Sequence, residues 1–379
     1  MPLKPVIYLD YNATTPVDPQ VLAAMLPYFS GAFGNPSSNH FFGWEAEEAI
    51  ENSRKSIAKN IGVKPTELSF FSGATEALNT AILGYAANFS PAESHIITCQ
   101  TEHKAVLETC KYLEKLGFEV SYLSVNSDGE INIEELKSKI KENTILICLM
   151  LANNETGVIH SLKDLIKKID NPKIKWLADI TPAIGKMKID LADIPVDMAV
   201  FSGHKIYGPK GVGVLFKKSE TKINPVSHGG LIEKGLKAGT LNVPAIVGIG
   251  KAVELCKVNL ETENERIKKL KDKLETELLT LGNVKINGVN ANRLVNTSNI
   301  VFENIENAHL LKRLNQLALS QGSACNANQS KPSHVLKAMG LSDYQALSSV
   351  RISMGRFTTE SEIDAAIDFF KTIIPTLRK

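Results

Sequence analysis

Between residues 67 and 217, short runs of apolar side chains alternate with longer stretches whose apolar positions recur every three or four residues. The runs Glu67–Ser72, His95–Gln100, Glu119–Val125, Thr144–Ala152, Lys173–Asp179, Asp197–Gly203 and Gly211–Lys217 predict strands. Helical periods over Thr75–Phe89, Lys104–Leu116, Ile133–Ile140 and Ser161–Ile169 fall between several of them. Parallel neighbours need long crossovers, usually helical, so this alternation predicts a largely parallel sheet covered by helices. Only a short polar turn separates the last two strands, which predicts one antiparallel member.

After Val247 the pattern changes. Leu260, Ile267, Leu270, Leu274, Leu278 and Leu281 recur at spacings of three, four and seven residues, with Gly282 as a stop, which predicts one long bridging helix. A strand over Ser298–Glu303 and helices over Ala308–Leu319 and Ser361–Ile374 complete a smaller α+β unit. The expected architecture is α/β, with a mostly parallel central sheet and a smaller C-terminal domain. Its expected divisions are an N-terminal segment, 1–14, that packs with the small domain, a large domain, 15–258, and the small domain, 259–379.

Composition narrows the picture only modestly. Lys and Arg number 43 against 41 Asp and Glu, and no basic block occurs, so direct nucleic-acid binding is not expected. No apolar run approaches the ~18 residues of a membrane-spanning helix. The start, Met1-Pro-Leu-Lys-Pro5, has no signal-peptide layout. No membrane association is expected, and a cytoplasmic location is. Five cysteines without a Cys-x-x-Cys pair suggest neither a disulfide framework nor a metal site. Cys99, Cys110, Cys148 and Cys256 sit among apolar neighbours and read as core. Cys325 lies instead in the polar, small-residue stretch Gln321-Gly-Ser-Ala-Cys-Asn-Ala-Asn-Gln-Ser330.

In open α/β sheets, ligands gather at the carboxyl ends of the strands. After the first run comes Ser72-Gly-Ala-Thr-Glu76, where helix-terminal amides and the Thr75 hydroxyl can cradle a phosphate. The same residues also suit ordinary helix capping. His103 can stack on an aromatic cofactor or simply shape its loop. Asp179 can keep a pyridine nitrogen protonated or cap a turn. Beyond the next strand, Ser202-Gly-His-Lys205 places two phosphate donors beside an amine that can condense with an aldehyde, although a lysine there can also be a solvated loop cation. The combination favours chemistry: a carboxylate, a strand, then Ser-x-His-Lys is what a pyridoxal-phosphate site requires.

These motifs resemble those of NifS/IscS-type cysteine desulfurases along nearly the whole chain. The matching segments include Tyr8-Leu-Asp-Tyr-Asn-Ala-Thr-Thr15, Gly34-Asn-Pro-Ser-Ser38, Gly73-Ala-Thr-Glu-Ala77, Thr101-Glu-His103 and Asn153-Asn-Glu-Thr-Gly157. Others are the stretch from Ser202 to Gly213, Gly239-Thr-Leu-Asn-Val-Pro244, Gly322-Ser-Ala-Cys325 and Val350-Arg-Ile-Ser-Met-Gly-Arg-Phe-Thr-Thr359.

The resemblance implies a fold-type-I pyridoxal 5'-phosphate enzyme that converts L-cysteine to L-alanine. Lys205 matches the cofactor lysine, Asp179 the partner of the ring nitrogen, and His103 the stacking histidine. Ala74, Thr75, Ser202, Gly203 and His204 match the phosphate cup. Thr240 matches a phosphate contact supplied by the opposite subunit of an obligate homodimer. Asn154 and Arg351 match groups near the substrate carboxylate; by residue type alone, Arg351 reads as a surface ion-pair partner. Cys325 matches the nucleophile that becomes a persulfide, in a loop spanning about 318–335 that carries sulfur to an acceptor or scaffold protein. Such proteins serve iron–sulfur cluster assembly or tRNA and DNA thiolation. Attack requires thiolate, so activity is expected to rise with pH through the thiol's titration.

Some positions depart from the pattern. Where the family reads His-x-Asp-x-x-Gln, this chain reads Leu177-Ala-Asp-Ile-Thr-Pro182, so a side-chain donor to the ring's phenolic oxygen is missing. Lys234 and Lys237 stand where the family has arginines, keeping charge without the planar fork. Selenocysteine lyase, cysteine sulfinate desulfinase and a low-activity sulfur-relay protein are alternatives on the same scaffold.

Overall fold

The computed structural model describes residues 6–305, 310–321 and 331–378. Its first eight strands are β1 (Ile7–Tyr8), β2 (Leu68–Phe71), β3 (His95–Cys99), β4 (Glu119–Leu123), β5 (Thr144–Cys148), β6 (Lys175–Asp179), β7 (Met198–Ser202) and β8 (Gly213–Lys217). The first eight helices are α1 (Pro19–Met25), α2 (Pro27–Ser30), α3 (Phe41–Ile61), α4 (Ala74–Ala86), α5 (Lys104–Lys115), α6 (Ile133–Lys139), α7 (Leu162–Ile169) and α8 (Val243–Leu279).

Seven strands form the central sheet in the order β2-β8-β7-β6-β5-β3-β4. Neighbours from β7 through β4 run parallel, whereas β8 is antiparallel to both β7 and β2. The antiparallel member is thus the strand after the short polar turn. Successive side chains of a strand point to opposite faces, so a sheet covered twice needs apolar residues at every position. Ile96, Leu146 and Val200 enter the core beneath α4 and α5, while their successors Ile97, Ile147 and Phe201 enter the core shared with α3 and α8. The chain goes from β3 out to β4 and returns to the other side of β3 as β5, so the strand order reverses between β3 and β5. A crevice opens at such a reversal.

Two expected elements differ. The long helix begins at Val243, because the Asn242 side chain caps the Ala245 N–H at 3.1 Å and Pro244 fits the first turn. It runs 37 residues, roughly 55 Å at 1.5 Å per residue, so a division at residue 258 falls inside a helix rather than a linker. Of the helix expected over Ala308–Leu319, the described residues from 310 on are helical only over Leu310–Arg313, and a strand follows over Leu317–Ala318. Parallel pairing with β1 (Ile7 opposite Leu317, Tyr8 opposite Ala318) overrides the helical period there.

Beyond α8, strands Val284–Ile286, Thr297–Phe302 and Ser349–Ser353 form an antiparallel sheet. Helix Glu360–Leu377 and the C-terminal half of α8 cover it through Leu274, Leu278, Phe302, Val350 and Phe370. Leu9 joins this core, which draws the N-terminal segment onto the small sheet. No helix among the described residues is long and apolar enough to cross a membrane.

The segment leading to Thr240 is anchored by a buried ion pair. Arg54 of α3 grips Glu233 with two donors, at 2.8 and 2.9 Å, and also donates to the Leu68 carbonyl at 2.8 Å. Glu233 accepts a further N–H from Phe70 at 2.8 Å. Replacing Arg54 with Met strands a buried carboxylate. The variant is expected to lose about 3–5 kcal/mol of unfolding free energy in urea titration; a loss below about 1 kcal/mol, the range of surface pairs, would contradict the account.

Candidate active site

A cavity of about 550 Å³ opens at the carboxyl ends of the central strands. At one end stands the N-terminus of α4, which opens on Gly73 with no side-chain cap. Strand β8 passes so close that a Cβ on Gly213 would lie 2.4 Å from the Gly73 carbonyl carbon, which explains a glycine there. The Ser72 N–H and hydroxyl both donate to Glu76, at 2.6 and 2.5 Å, and Lys237 holds the other Glu76 oxygen at 2.6 Å. The uncapped first turn carries partial positive charge toward the cavity, which suits an anion.

β6 delivers Asp179, which is buried and accepts the Thr181 N–H at 2.9 Å. His103 caps α5, its Nδ1 accepting the Ala105 N–H at 3.1 Å, so the neutral ring keeps its proton on Nε2. Burial pulls the His103 pKa below its ordinary value, with Lys205 and His334 adding repulsion and Asp179 opposing them. His204 falls further, to about 4, through burial and then the charges of Lys205, Lys210 and Lys186.

The Lys205 amine reaches back to the N-terminal segment, donating to the carbonyls of Asn12 and, at 2.7 Å, Ala13. Asn12 is itself fixed from several directions. Its N–H donates to the Ser353 hydroxyl at 2.9 Å, and its side-chain amide donates to the Asn154 carbonyl at 3.1 Å and to Thr297 at 2.8 Å. Its side-chain oxygen accepts from Asn296 at 3.0 Å. Arg351, on the small sheet, donates to the Asn154 carbonyl at 3.1 Å and pairs with Asp10 at 2.7 Å, while its buried Nε has no partner.

The cavity brings together Ala74, Thr75, His103, Asn154, Asp179, Ser202, His204, Lys205 and Arg351. Gly203 is buried in the turn behind them, and Pro182 also faces the cavity. Thr240 does not join them; it is exposed on its own loop. Cys325 lies outside the described residues. Lys234, at the other arginine position of the family, donates to the carbonyls of Thr66 and, at 3.2 Å, Leu68. No group of His, Cys, Asp and Glu side chains suited to a metal ion occurs among the described residues.

Sequence reasoning misses several contributors. Asn12 and Asp10 act through contacts hundreds of positions away, which no local pattern signals. Glu102 is fully buried: one oxygen accepts the Met150 N–H at 2.5 Å, and the other has no partner. Burial pushes its pKa well above the ordinary carboxylate value, and Asp179 adds to the rise, while the bond from the Met150 N–H opposes it. Lys186 also reaches the cavity, its amine 3.1 Å from the Pro182 carbonyl.

Residues 7–366 match the family "Aminotransferase class-V". The chain belongs to the class-V aminotransferases, in their NifS/IscS branch. It is 44% identical to cysteine desulfurase IscS of Pasteurella multocida, over 100% of this chain and 95% of the relative. A solved NifS-like protein superposes with a TM-score of 0.92 at 37% identity, covering 98% of this chain and 100% of the other. A solved structure of SspA in complex with cysteine superposes with a TM-score of 0.81, also at 37% identity, over 93% and 99% of the two chains.

Both cavity histidines should be neutral at pH 7. In an NMR titration, His103 is expected to protonate below its ordinary pH of about 6.5, and His204 near 4. Both shifts work in one direction. Below about pH 6.5 the unfolded chain binds protons that the folded site refuses, so stability falls as pH drops toward 4. Ordinary midpoints for both rings would refute this.

Proposed function

We propose that this chain is a cysteine desulfurase that binds pyridoxal 5'-phosphate at Lys205 and takes sulfur from L-cysteine onto Cys325, releasing L-alanine. The observation that carries this reading is the convergence of Lys205, Asp179, His103 and an uncapped helix N-terminus on one cavity. The donor set fits the cofactor. The first turn of α4, with Thr75, Ser202 and His204, would hold the phosphate, and the buried Asp179 carboxylate would hold a protonated ring nitrogen. The His103 ring would lie against the ring face. When bound, the cofactor supplies an aldehyde for the amine and a ring that accepts the electrons released at the substrate's Cα.

The remaining chemistry falls to the chain. The Lys205 amine would be the base for the Cα proton, and its two carbonyl partners would orient it. Arg351 would take the substrate carboxylate; to do so its guanidinium must share Asp10 with the substrate or use the unpaired Nε. The Cys325 thiolate attacks the substrate sulfur: an S–S bond forms as the C–S bond breaks. The electron pair stays on the substrate carbon, which leaves as alanine after protonation.

Thr240 is exposed and away from the cavity of its own chain, which supports a homodimer in which it reaches the partner's phosphate site. We further assign the persulfide to delivery, with an acceptor or scaffold protein for iron–sulfur cluster assembly or thiolation as its recipient. Cytoplasmic action without direct nucleic-acid contact fits the balanced charge.

Purified protein supplied with pyridoxal phosphate should turn yellow, and borohydride should fix the cofactor on the Lys205 peptide. With sulfur-labelled cysteine, label should appear on the Cys325 peptide together with one alanine per sulfur. Cys325→Ala should lose at least about 100-fold in alanine release, as expected for deletion of a nucleophile. Turnover at the parent rate in that variant would refute the role of Cys325, and a colourless parent would refute the cofactor.

A further inference from the structure

The turn that follows Asp179 poses a problem of hydrogen bonding. Residues Thr181 and Pro182 both face the cavity, yet proline has no donor of either kind. The Thr181 hydroxyl is directed at the Val200 carbonyl, 3.5 Å away. The same turn carries a second amine into the cavity. Ala183 and Ile184 close it through N–H bonds to the Ile180 carbonyl, at 3.0 and 2.9 Å, and this brings Lys186 back over Pro182. The Lys186 amine then donates to the Pro182 carbonyl at 3.1 Å, one turn earlier in the chain, and lines the same cavity as Lys205 and Asp179.

Resting on the pyridoxal-phosphate reading, we propose that Lys186 is a cofactor-binding residue, the cationic donor to the ring's phenolic oxygen that position 182 does not supply.

Three features support it. First, one carbonyl uses only one of the three N–H groups of an ammonium, and Lys186 lines the cavity. Second, the cofactor's chemistry calls for such a donor. Its phenolic oxygen sits beside the aldehyde carbon, so it must lie close to the Lys205 linkage, and an oxyanion removed from water needs a partner. Third, the amine is poised for this role. Burial lowers its pKa to about 7, with Lys205 and Arg351 adding repulsion and Cys256 acting the other way; His204 is the further titratable group coupled to it. An anion in the cavity would restore the charge that burial removes. Lys186 thus differs from Lys205, whose amine is held by two main-chain carbonyls of the N-terminal segment.

The test is the pH titration of the visible band of the reconstituted protein, with Lys186→Met, Lys186→Gln and Lys186→Arg beside the parent. A cation near the Lys205 linkage disfavours its protonated form, and a donor to the phenolic oxygen weakens that oxygen's hold on the same proton. Removing Lys186 acts in one direction on both counts. In Lys186→Met the midpoint is expected to rise by about one pH unit or more, a tenfold change in proton affinity. Lys186→Arg should remain close to the parent. Should Lys186→Met not fold, as judged by thermal melting, Lys186→Gln carries the same test, since it keeps a donor without charge and its midpoint must also rise. A yellow variant with the parent's midpoint and wavelength overturns the assignment of Lys186 and leaves the cofactor reading standing. A parent protein that never develops the band overturns both.

Discussion

The fold depends at its centre on how a half-buried amine is satisfied. An amine removed from water must find acceptors or give up its charge. Lys205 finds the main-chain carbonyls of Asn12 and Ala13, so a segment some 190 positions earlier has to cross the mouth of the β7 turn. That segment is held because Asn12 is tied to Asn154, in the loop after β5, to Thr297 and Ser353 on the small sheet, and to Asn296 beside it. The other flank of the Lys205 turn is equally fixed. Tyr207 holds a left-handed backbone (φ 64°), a conformation that costs a non-glycine residue about 1–3 kcal/mol. Arg356 secures it, donating its N–H to the Tyr207 hydroxyl at 2.6 Å and laying its guanidinium 4.3 Å from the ring centre. Arg356 is itself paired with Asp18 and Glu263, at 2.7 and 2.6 Å. The lysine's position is therefore set jointly by both sheets and α8.

Electrostatics follow from the same crowding. Lys186, Lys205, Lys210 and Arg351 reach one cavity, while Asp179 and Glu76 are the carboxylates that line it. Glu76 is already committed to Lys237 and Ser72, and Asp10 to Arg351. Burial, and after it Asp179, raises the pKa of the nearby Glu102 well above its ordinary value. Desolvation, and after it this positive excess, depresses the pKa values of His204 and Lys186. A cavity with that balance suits ligands bearing phosphate and carboxylate groups, and such ligands would relieve the repulsion among its cations.

Much of this was legible in one dimension. The central strands are buried on both faces, so their apolar runs were unmistakable, and the short turn before β8 correctly implied an antiparallel strand. Candidate residues such as Asp179, His103 and Lys205 were legible because they directly follow or end those runs, where a parallel sheet must place its ligands. What the sequence hid depends on long-range pairing. The segment around Leu317 has a helical period, but its backbone pairs with β1, more than 300 positions away. Asp10 beside Arg351 is hidden for the same reason. Lys186 is hidden differently: its place beside a family Gly-Lys motif gives no sign that the turn at Ala183 folds it over Pro182.

The cysteines bring the fold and the proposed chemistry together. Of the chain's five, Cys99, Cys110, Cys148 and Cys256 are buried and unpaired. Burial pushes the thiols of Cys99 and Cys110 up to about 12 and that of Cys256 to about 11, and Cys148 rises well above its ordinary value. At neutral pH a thiol with a pKa near 12 is ionised on the order of one part in 100,000, and a core position gives it no route to a substrate or a partner. A reaction that lifts sulfur from cysteine needs a thiolate that can meet the substrate and later a second protein. Packing has disqualified four candidates, and this supports assigning the task to Cys325, which lies in a polar, small-residue stretch of the sequence.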